Sequence, residues 1–448
     1  MFISTVTLKD FRCYRRTETT FIHPGAHDDL PDGALKNVTL LVGVNGSGKT
    51  SILRGVALGV LVPVINESGF RPYYLLRVRK PGLSQIKGGV VWVTGVLDQF
   101  ETAKLAASSA DKMAPDRLAN RIEITRRNDY DVLSFGPIPG FQSKDDLPLL
   151  KTKLTPGGPH AFVYNHAKNK SEFVHISNAL NEFYRDFSPS FFMVGYGANR
   201  RVEEPRRASL STSEKDRGRR YLRVSGLFEE GIPLFPMAAW LPQIAKTERY
   251  KEVVQLLNRT LPAGTRFTGR FHRDQQPLFS HQRVELPFPA LSDGYRSYVG
   301  LLGDLLCHLH ECCPKGRPLT DMTGVVMVDD IDLHLHPQWQ RVVVPKLARA
   351  LPRLQFILTT HSPLVAGTVH AANVRVLGGN KVHRFSERLH GLSVDQILSS
   401  PYFGHTKPRS DESEKKLQEL LEGPVDEGDA GPALDFLREL AGEGPVSR

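Results

Sequence analysis

Residues 43–50 read Gly-Val-Asn-Gly-Ser-Gly-Lys-Thr, a complete match to the phosphate-binding pattern G-x-x-x-x-G-K-[ST]. The preceding residues, 37–42, are mostly apolar or β-branched, which is typical of a buried parallel strand. Residues 51–58 place apolar side chains at helical spacing. A strand, a glycine-rich turn and a helix start direct backbone N–H groups and the helix dipole at a polyphosphate. The stretch predicts an α/β nucleotide site, with Lys49 reaching the β- and γ-phosphates and Thr50 holding Mg²⁺.

Two further apolar runs end in polar residues, as strands do where a sheet binds a nucleotide. Residues 324–330 read Gly-Val-Val-Met-Val-Asp-Asp, and residues 354–361 end in Thr-Thr-His. Asp329 would bind Mg²⁺ directly or through water, and Asp330 would orient or deprotonate the attacking water. His361 would hydrogen-bond a γ-phosphate or that water. The alternative interpretation is a solvated Asp-Asp turn and a structural histidine.

A fourth motif lies at residues 291–297, which read Leu-Ser-Asp-Gly-Tyr-Arg-Ser and open an apolar helix. Ser292 and Gly294 would offer a hydroxyl, backbone N–H groups and the helix dipole to an anion. The alternative is a serine that only caps the helix. The order of the four motifs along the chain favours the anion site.

These motifs, in this order, resemble those of the ATP-binding-cassette ATPases. Three features narrow the resemblance to the RecF, SMC and OLD branch of these ATPases. They are the early position of the phosphate loop, residues 10–14 (Asp-Phe-Arg-Cys-Tyr) and residues 329–337. Within that branch the chain is most similar to AAA-type ATPases of retron and Septu anti-phage defence systems, a likeness shared by residues 196–200 (Tyr-Gly-Ala-Asn-Arg). The resemblance implies an α/β fold, a P-loop NTPase of the ABC-ATPase type with a mixed β-sheet core, flanking helices and an inserted α/β lid region.

The resemblance also implies a role for each motif residue. Asp330, His361 and Lys49 would be catalytic, while Thr50 and Asp329 would hold the metal. The residues that would cradle ATP and Mg²⁺ are Asn45, Gly46, Ser47, Gly48, Lys49, Thr50 and Ser51. The signature residues that would contact the nucleotide of the other protomer are Ser292, Asp293 and Gly294, and Asp332 would be the acid of the inter-subunit loop. A head-to-tail homodimer with two ATP molecules in its interface is therefore implied.

Some residues depart from the family pattern or leave it open. Asp330 stands where the wider family usually has glutamate, so its carboxylate reaches one methylene less far and turnover is expected to be slow. Gln85 and Gln99 are both candidates for the family's glutamine loop. His334 and His336 lie in the loop after the acidic strand, and we interpret them as structural.

Composition sets the remaining expectations. The chain has 448 residues, 40% of them hydrophobic, with no run of eighteen apolar residues and no signal-peptide pattern, so we expect a cytoplasmic protein with no membrane contact. Four cysteines lack metal-ligand spacing and are expected to be idle thiols. The net charge of +10 favours polyanions. Nine lysines and arginines at residues 200–223 form either a solvated loop or a surface for DNA, RNA or a partner.

The chain divides into three expected regions. Residues 1–65 and 289–400 form the ATPase core, residues 66–288 an inserted lid or arm, and residues 401–448 a polar helical tail. The patterns predict strands at residues 3–10, 17–21, 90–97 and 120–125, helices at residues 172–187, 250–261, 411–421 and 433–441, and loops at residues 156–159 and 200–223.

The leading functional hypothesis is an ATP-hydrolysing dimeric sensor or switch in bacterial anti-phage defence. We expect a separate effector, a nuclease or toxin, because no nuclease motif and no sustained heptad repeat occur in the sequence. One alternative is a RecF-like DNA-repair ATPase that clamps DNA through residues 200–223. Another is an ATP-bound scaffold with little turnover. Strong stimulation of turnover by DNA would favour the first alternative, and negligible turnover would favour the second.

Overall fold

The computed structural model divides the chain into two compact units, Met1–Leu392 and Ser393–Arg448. The structure describes residues 1–25, 30–78, 85–108, 117–127, 130–135, 151–155, 158–165, 170–174, 183–202, 217–404 and 415. The tail helices predicted at residues 411–421 and 433–441 lie outside this set, apart from Lys415, so they stay predictions.

The strands of the described residues are β1 Phe2–Phe11, β2 Tyr14–Thr20, β3 Val38–Val42, β4 Gly88–Val96, β5 Arg117–Arg127, β6 Tyr130–Phe135, β7 Lys151–Thr155, β8 Gly158–Asn165, β9 Lys170–Val174, β10 Met193–Tyr196, β11 Thr265–Phe271, β12 Pro277–His281, β13 Val284–Pro287, β14 Gly324–Val328, β15 Leu354–Thr360, β16 Val374–Gly378 and β17 Lys381–His383. The α-helices are α1 Lys49–Glu67, α2 Gln99–Ser108, α3 Arg219–Ser225, α4 Met237–Ile244, α5 Glu248–Thr260, α6 Asp293–Cys312, α7 Pro337–Gln340, α8 Val343–Ala350, α9 Pro363–Ala366 and α10 Val394–Leu398.

A six-stranded sheet in the order β10-β14-β15-β3-β16-β17 carries the predicted motifs. Its first five strands are mutually parallel, and β17 is antiparallel to β16. Every residue of β3, β10, β14 and β15 is buried, as expected of parallel strands covered on both faces. The predicted strands before the phosphate loop and before the acidic pair are thereby confirmed.

A five-stranded antiparallel sheet in the order β2-β1-β4-β5-β6 faces the other side of α1. Helix α1 contacts β1, β4 and β5 of this sheet and β10 and β15 of the parallel sheet, so it lies between the two. It is the single helix of the described chain that is long and apolar enough to cross a membrane, and 78% of its apolar window is buried inside the protein. Burial on all sides is what a core helix requires.

The expected boundaries at residues 66 and 288 do not separate an independent lobe. Strands β4, β5 and β6 come from the expected insert, yet β4 pairs with β1 along most of its length. Strand β10 also comes from the insert and extends the parallel sheet beside β14. Pairing between residues distant in sequence, which local composition does not reveal, makes Met1–Leu392 one compact unit.

Several local predictions are confirmed and three need correction. The strands predicted at residues 3–10, 17–21, 90–97 and 120–125 coincide with β1, β2, β4 and β5, and the helix predicted at residues 250–261 coincides with α5. The helix predicted at residues 172–187 is wrong at its start, because Lys170–Val174 forms β9 and pairs with β8; residues 175–182 lie outside the described set. The loop prediction is wrong at Gly158 and Pro159, which belong to β8, and residues 156–157 lie outside the described set. The loop predicted at residues 200–223 is wrong from Arg219 onward, where α3 begins, and residues 203–216 lie outside the described set.

Candidate nucleotide site

The carboxyl ends of three parallel strands bring the distant motifs to one edge of the sheet. In the strand register Val42 lies beside Thr360, and Val328 lies beside Leu358. The phosphate loop follows β3, the acidic pair follows β14, and His361 follows β15. Residues that are about 300 positions apart in sequence therefore share one cleft, as the sequence predicts.

Two glycines give the phosphate loop its backbone path. Gly46 and Gly48 have φ angles of 77° and 99°, which side chains other than hydrogen rarely allow. A Cβ on Gly48 would also lie 2.5 Å from Tyr14 Oη and 2.6 Å from Cys13 Sγ. Tyr14 Oη donates a hydrogen bond to the Ser47 carbonyl at 3.0 Å. The loop is thus held against the β1–β2 hairpin, whose residues 10–14 belong to the family resemblance.

Lys49 is buried at the start of α1 and turns its ammonium group back over the loop. Its Nζ donates to the Gly43 carbonyl at 2.8 Å and to His361 Nε2 at 2.6 Å. Burial lowers the pKa of Lys49, and the carboxylates of Asp330 and Asp329 oppose that shift. The ammonium therefore lies among groups that keep it charged, in the place where a polyphosphate would contact the loop.

Both oxygens of Asp329 are fixed by threonine hydroxyls. Thr50 Oγ1 donates to Asp329 Oδ2 at 2.6 Å, and Thr359 Oγ1 donates to Asp329 Oδ1 at 2.6 Å. Thr359 Oγ1 also accepts from the Asp330 backbone N–H at 2.7 Å. Only 5% of Asp329 is exposed, so the alternative of a solvated Asp-Asp turn is wrong for this residue.

Asp330 is half-buried and has a φ angle of 45°, in the left-handed region. Its Oδ1 lies 3.7 Å from His361 Nε2. Burial and the neighbouring Asp329 carboxylate raise the pKa of Asp330, while His361 and Lys49 oppose the shift. A carboxylate that holds its proton more readily is better matched to proton transfer near neutral pH.

The loop after the acidic strand is held within the chain. Asp332 Oδ1 accepts hydrogen bonds from Thr360 Oγ1 and, at 3.4 Å, from the His361 backbone N–H. His336 caps α7, since its Nδ1 accepts from the Gln338 backbone N–H at 3.3 Å. His334 is exposed and has a φ angle of 63°. His336 thus has the local structural role that the sequence predicts.

The signature residues lie apart from this cleft in a single chain. Ser292, Asp293 and Gly294 begin α6, and none of them lines the cleft of the phosphate loop. Ser292 occupies the N-cap position, is exposed, and accepts no capping hydrogen bond through its side chain. The alternative of a serine that only caps the helix is therefore wrong. Asp293 forms an ion pair with Arg296 one turn along the helix.

Five residues that line the cleft were not among the predicted site residues. Besides the motif residues, it is lined by Arg12, Cys13, Tyr74, Leu76 and Val78. Arg12 and Cys13 belong to the quoted residues 10–14, so the family resemblance was a signal for them. The other three precede β4 in a segment without a local pattern. Neither Gln85 nor Gln99 lines the cleft, so neither candidate for the glutamine loop gains support.

Arg200 ends the stretch 196–200 that shares the family resemblance, but the sequence assigned it no role in the site. Its guanidinium donates to three backbone carbonyls, those of Gly197 at 3.0 Å, Asp330 at 2.8 Å, and Asp329. Burial lowers the pKa of Arg200, and the neighbouring aspartates oppose that shift. Arg200 therefore contacts the main chain of the acidic turn, although the sequence placed it in a basic loop.

Two arginines of the expected basic surface at residues 200–223 are buried in the interior of the fold. Arg220 is 1% exposed and donates to the carbonyls of Phe191, Ser188, Ser190 and Arg185. Arg223 is 2% exposed. Arg217 pairs with Glu229 and Arg219 with Glu311. These four cations contact carbonyls and carboxylates of the fold, whereas Arg201 is exposed. Arg206, Arg207 and Lys215 lie outside the described residues, so the nucleic-acid surface stays a prediction.

Comparisons with known proteins bear on the family resemblance. Residues 164–367 match the family described as "AAA domain, putative AbiEii toxin, Type IV TA system", a span that includes the signature, the acidic pair and His361. The chain is 33% identical to the "Retron Ec83 probable ATPase" of Escherichia coli over 142 residues, which is 32% of this chain and 26% of that protein. It is 28% identical to the Septu protein PtuA of Bacillus mycoides over 243 residues, 53% of this chain and 33% of that protein.

The predicted resemblance to retron and Septu ATPases is confirmed. The matched region spans about a quarter of the retron relative's length and a third of the Septu relative's length. Among solved structures, an SMC head bound to the C-terminal winged-helix domain of ScpA has a TM-score of 0.45 at 13% identity, covering 87% of this chain and 99% of that one. The SMC head of Thermotoga maritima has a TM-score of 0.41 at 14% identity, covering 86% and 99%.

Proposed function

We propose that this chain binds ATP with Mg²⁺ and hydrolyses it to ADP and phosphate. The observation that carries the proposal is the convergence of Lys49, Thr50, Asp329, Asp330 and His361 at one sheet edge. A phosphate loop alone would support binding only. The acidic pair and the histidine beside it add the groups that phosphoryl transfer to water requires.

The residues present fit Mg²⁺ and a polyphosphate. Thr50 Oγ1 and Asp329 Oδ2 are in contact at 2.6 Å, and both are the hard oxygen donors that Mg²⁺ prefers. Ser47 Oγ is buried in the phosphate loop without a hydrogen-bond partner among the residues that the structure describes. When bound, Mg²⁺ would neutralise charge on the phosphates. The loop thus carries a polar atom that needs a partner, as an anion cradle would.

Each residue of the chain then has a defined task. Lys49 would exchange its bond to His361 for a phosphate oxygen and stabilise the charge that develops there. Asp330 would orient the attacking water and accept its proton, a task that its raised pKa favours. His361, freed from Lys49, would hold the γ-phosphate or the water. The shorter reach of aspartate supports slow turnover, which suits a switch.

A head-to-tail homodimer would complete the site. Ser292, Asp293 and Gly294 are exposed or half-buried and lie outside the cleft of their own chain, so they are free to contact a nucleotide held by a second protomer. Asp332 follows the acidic turn and would contact that protomer too. The likeness to retron and Septu ATPases supports a cytoplasmic role in anti-phage defence, with a separate effector nuclease or toxin controlled by the ATP state.

The test compares the buried Lys49 with the half-buried Lys346 in the full chain. Lys49→Ala should abolish ATP binding or phosphate release in the presence of Mg²⁺. Lys346 also donates to a backbone carbonyl and has a lowered pKa, but it lies away from the cleft. Lys346→Ala should leave both measurements within about twofold, since its contact is structural. Unchanged ATPase activity of Lys49→Ala would refute the site assignment.

Two further measurements separate the alternatives. Adding duplex DNA to the ATPase assay should change the rate little, because Arg220 and Arg223 are buried. A large DNA stimulation that weakens steeply with salt would instead favour a DNA-repair ATPase. Tight ATP-dependent dimerisation without measurable turnover would favour a scaffold.

A further inference from the structure

Arg200 joins the acidic turn to the helix that begins with the signature. We propose that Arg200 is a positioning residue for Asp330, and that residues 196–202 transmit the position of α6 to the acidic turn. This inference rests on the proposed ATPase function and adds residues that take no part in binding ATP. Its evidence is a continuous set of contacts from α6 to the carbonyls of Asp329 and Asp330.

The first contact set lies at the acidic turn. The Arg200 guanidinium donates to the carbonyls of Asp329 and Asp330 and also to the Gly197 carbonyl of its own segment. Asp330 has a φ angle of 45°, in the left-handed region that residues with a Cβ rarely adopt without support from their surroundings. The planar guanidinium can satisfy several carbonyls at once, which a single ammonium cannot do in the same geometry. Arg200 therefore stabilises the turn that aims the Asp330 carboxylate.

The second contact set lies at α6. Tyr196 Oη donates to Asp304 Oδ2 at 2.7 Å, and Asp304 Oδ1 accepts from the Phe235 backbone N–H at 2.7 Å. Val202 packs directly on α6, because a Cβ added to Gly300 would lie 2.2 Å from Val202 Cγ2. Both ends of the segment that carries Arg200 are thus held by the same helix.

A shift of α6 therefore moves Arg200. Tyr196, the last residue of β10, accepts through its carbonyl from the Asp329 backbone N–H at 2.8 Å, so the segment contacts the acidic turn at Tyr196 as well as through Arg200. In the proposed dimer, the signature at the start of α6 contacts the nucleotide of the other protomer. Engagement of that nucleotide would then set the acidic turn of the first protomer, which links the two ATP sites.

Two glycines of α6 provide a matched test. Gly300→Ala would push on Val202, whereas Gly303→Ala would push on Met237 Cγ, also 2.2 Å away, in α4 and not in the Arg200 segment. We expect Gly300→Ala to lower kcat about tenfold or more while the affinity for ATP changes less than about twofold, because the turn is misplaced and the phosphate loop is untouched. Gly303→Ala should keep kcat within about twofold.

Rescue distinguishes transmission from general loosening. Val202→Ala removes the methyl groups that collide, so Gly300→Ala combined with Val202→Ala should recover most of the lost kcat. Equal losses for the two glycine variants, or no recovery in the double variant, would overturn the inference. If the wild-type chain releases no phosphate, the proposed function fails first; if it does and Gly300→Ala behaves like wild type, only the inference fails.

Arg200 itself is tested by a conservative change. Arg200→Lys keeps the charge but cannot hold three carbonyls, so we expect kcat to fall at least about tenfold with ATP affinity preserved. Arg375→Lys is the control, because Arg375 is also buried and donates to the carbonyls of Thr20, Ala372 and Val374. If Arg375→Lys lowers kcat as much as Arg200→Lys, then Arg200 has only a general structural role and the proposal is wrong.

Discussion

Thr359→Val removes one hydroxyl from the centre of the candidate site and changes the side-chain volume little. Thr359 is fully buried in β15, donates to the Asp329 carboxylate at 2.6 Å, and accepts from the Asp330 N–H at 2.7 Å. Valine can do neither, so the variant deprives a buried carboxylate of a donor and leaves a buried backbone N–H unpaired. Both losses fall on the acidic turn.

The expected cost follows from those two contacts. A hydrogen bond to a charged group contributes about 1.5–3 kcal/mol, and a buried donor left unpaired costs about 1–3 kcal/mol, so Thr359→Val should lower the free energy of unfolding by about 2.5–6 kcal/mol. Thr39 is the matched control, since it is fully buried in the adjacent strand β3 and accepts one bond from the Ile22 N–H at 2.8 Å. Thr39→Val should cost only about 1–2 kcal/mol.

Chemical denaturation of the full chain without nucleotide measures the stability difference, and phosphate release at saturating ATP measures its effect on turnover. Thr359→Val should lower kcat by about tenfold or more, because the acidic turn is misplaced. Each loss of about 1.4 kcal/mol in transition-state stabilisation lowers the rate tenfold. Thr39→Val should leave kcat near the wild-type value. If the two variants lose equal stability and equal turnover, the hydroxyl of Thr359 does not organise the acidic turn.

Three further predictions test the loop, the acid and the assembly. Gly48→Ala should abolish ATP binding, because the added Cβ would collide with Tyr14 and Cys13. Gly46 has open space around it, so Gly46→Ala should weaken ATP binding only by its backbone strain, about 1–2 kcal/mol. Isothermal titration calorimetry with ATP measures both affinities. The pKa of Asp330 is raised in the folded chain, so the deprotonated, charged form of Asp330 destabilises the native state. The native state is therefore more stable at low pH, where Asp330 is protonated, and loses this stability as the pH rises. Asp330→Asn should therefore raise the Tm at pH 7.5, and the gain should shrink on acidification and vanish below the ordinary pKa of aspartate; a gain that grows on acidification would contradict the cause given for the shift. With ATP and Mg²⁺, Asp330→Asn should also move in light scattering from 50.0 kDa toward about twice that mass, while a Lys49→Ala chain that stays monomeric provides the control.

Local patterns predicted the parts of the site that local chemistry determines. The phosphate loop, the buried strands before Asp329 and His361, and the helix that begins after Ser292 each show within ten or twenty residues what they form. Parallel strands align their carboxyl ends, so the meeting of these motifs followed from the strand assignments alone.

The remainder depended on contacts that no local pattern records. Arg200 stands in a basic stretch, and its bond to the acidic turn requires β10 to lie beside β14, a pairing across about 130 residues. The same pairing places β10, a strand of the expected insert at residues 66–288, in the sheet of the expected core. Arg220 looked like a surface cation because charge is usually solvated, yet four carbonyls surround it in the interior. Lys170–Val174 forms a strand because it pairs with β8, although the spacing of apolar residues predicts a helix from residue 172 onward.

The enclosure of α1 has a consequence for how the chain is made. Fifteen of its nineteen residues are buried, and part of their cover comes from β4 and β5, which follow later in the sequence. During synthesis α1 therefore leaves the ribosome before residues 88–127 have emerged to cover it. For that interval the nascent chain presents an apolar helix long enough to be taken for a membrane anchor, which makes this segment the natural point of engagement for chaperones and the first place where misfolding would begin.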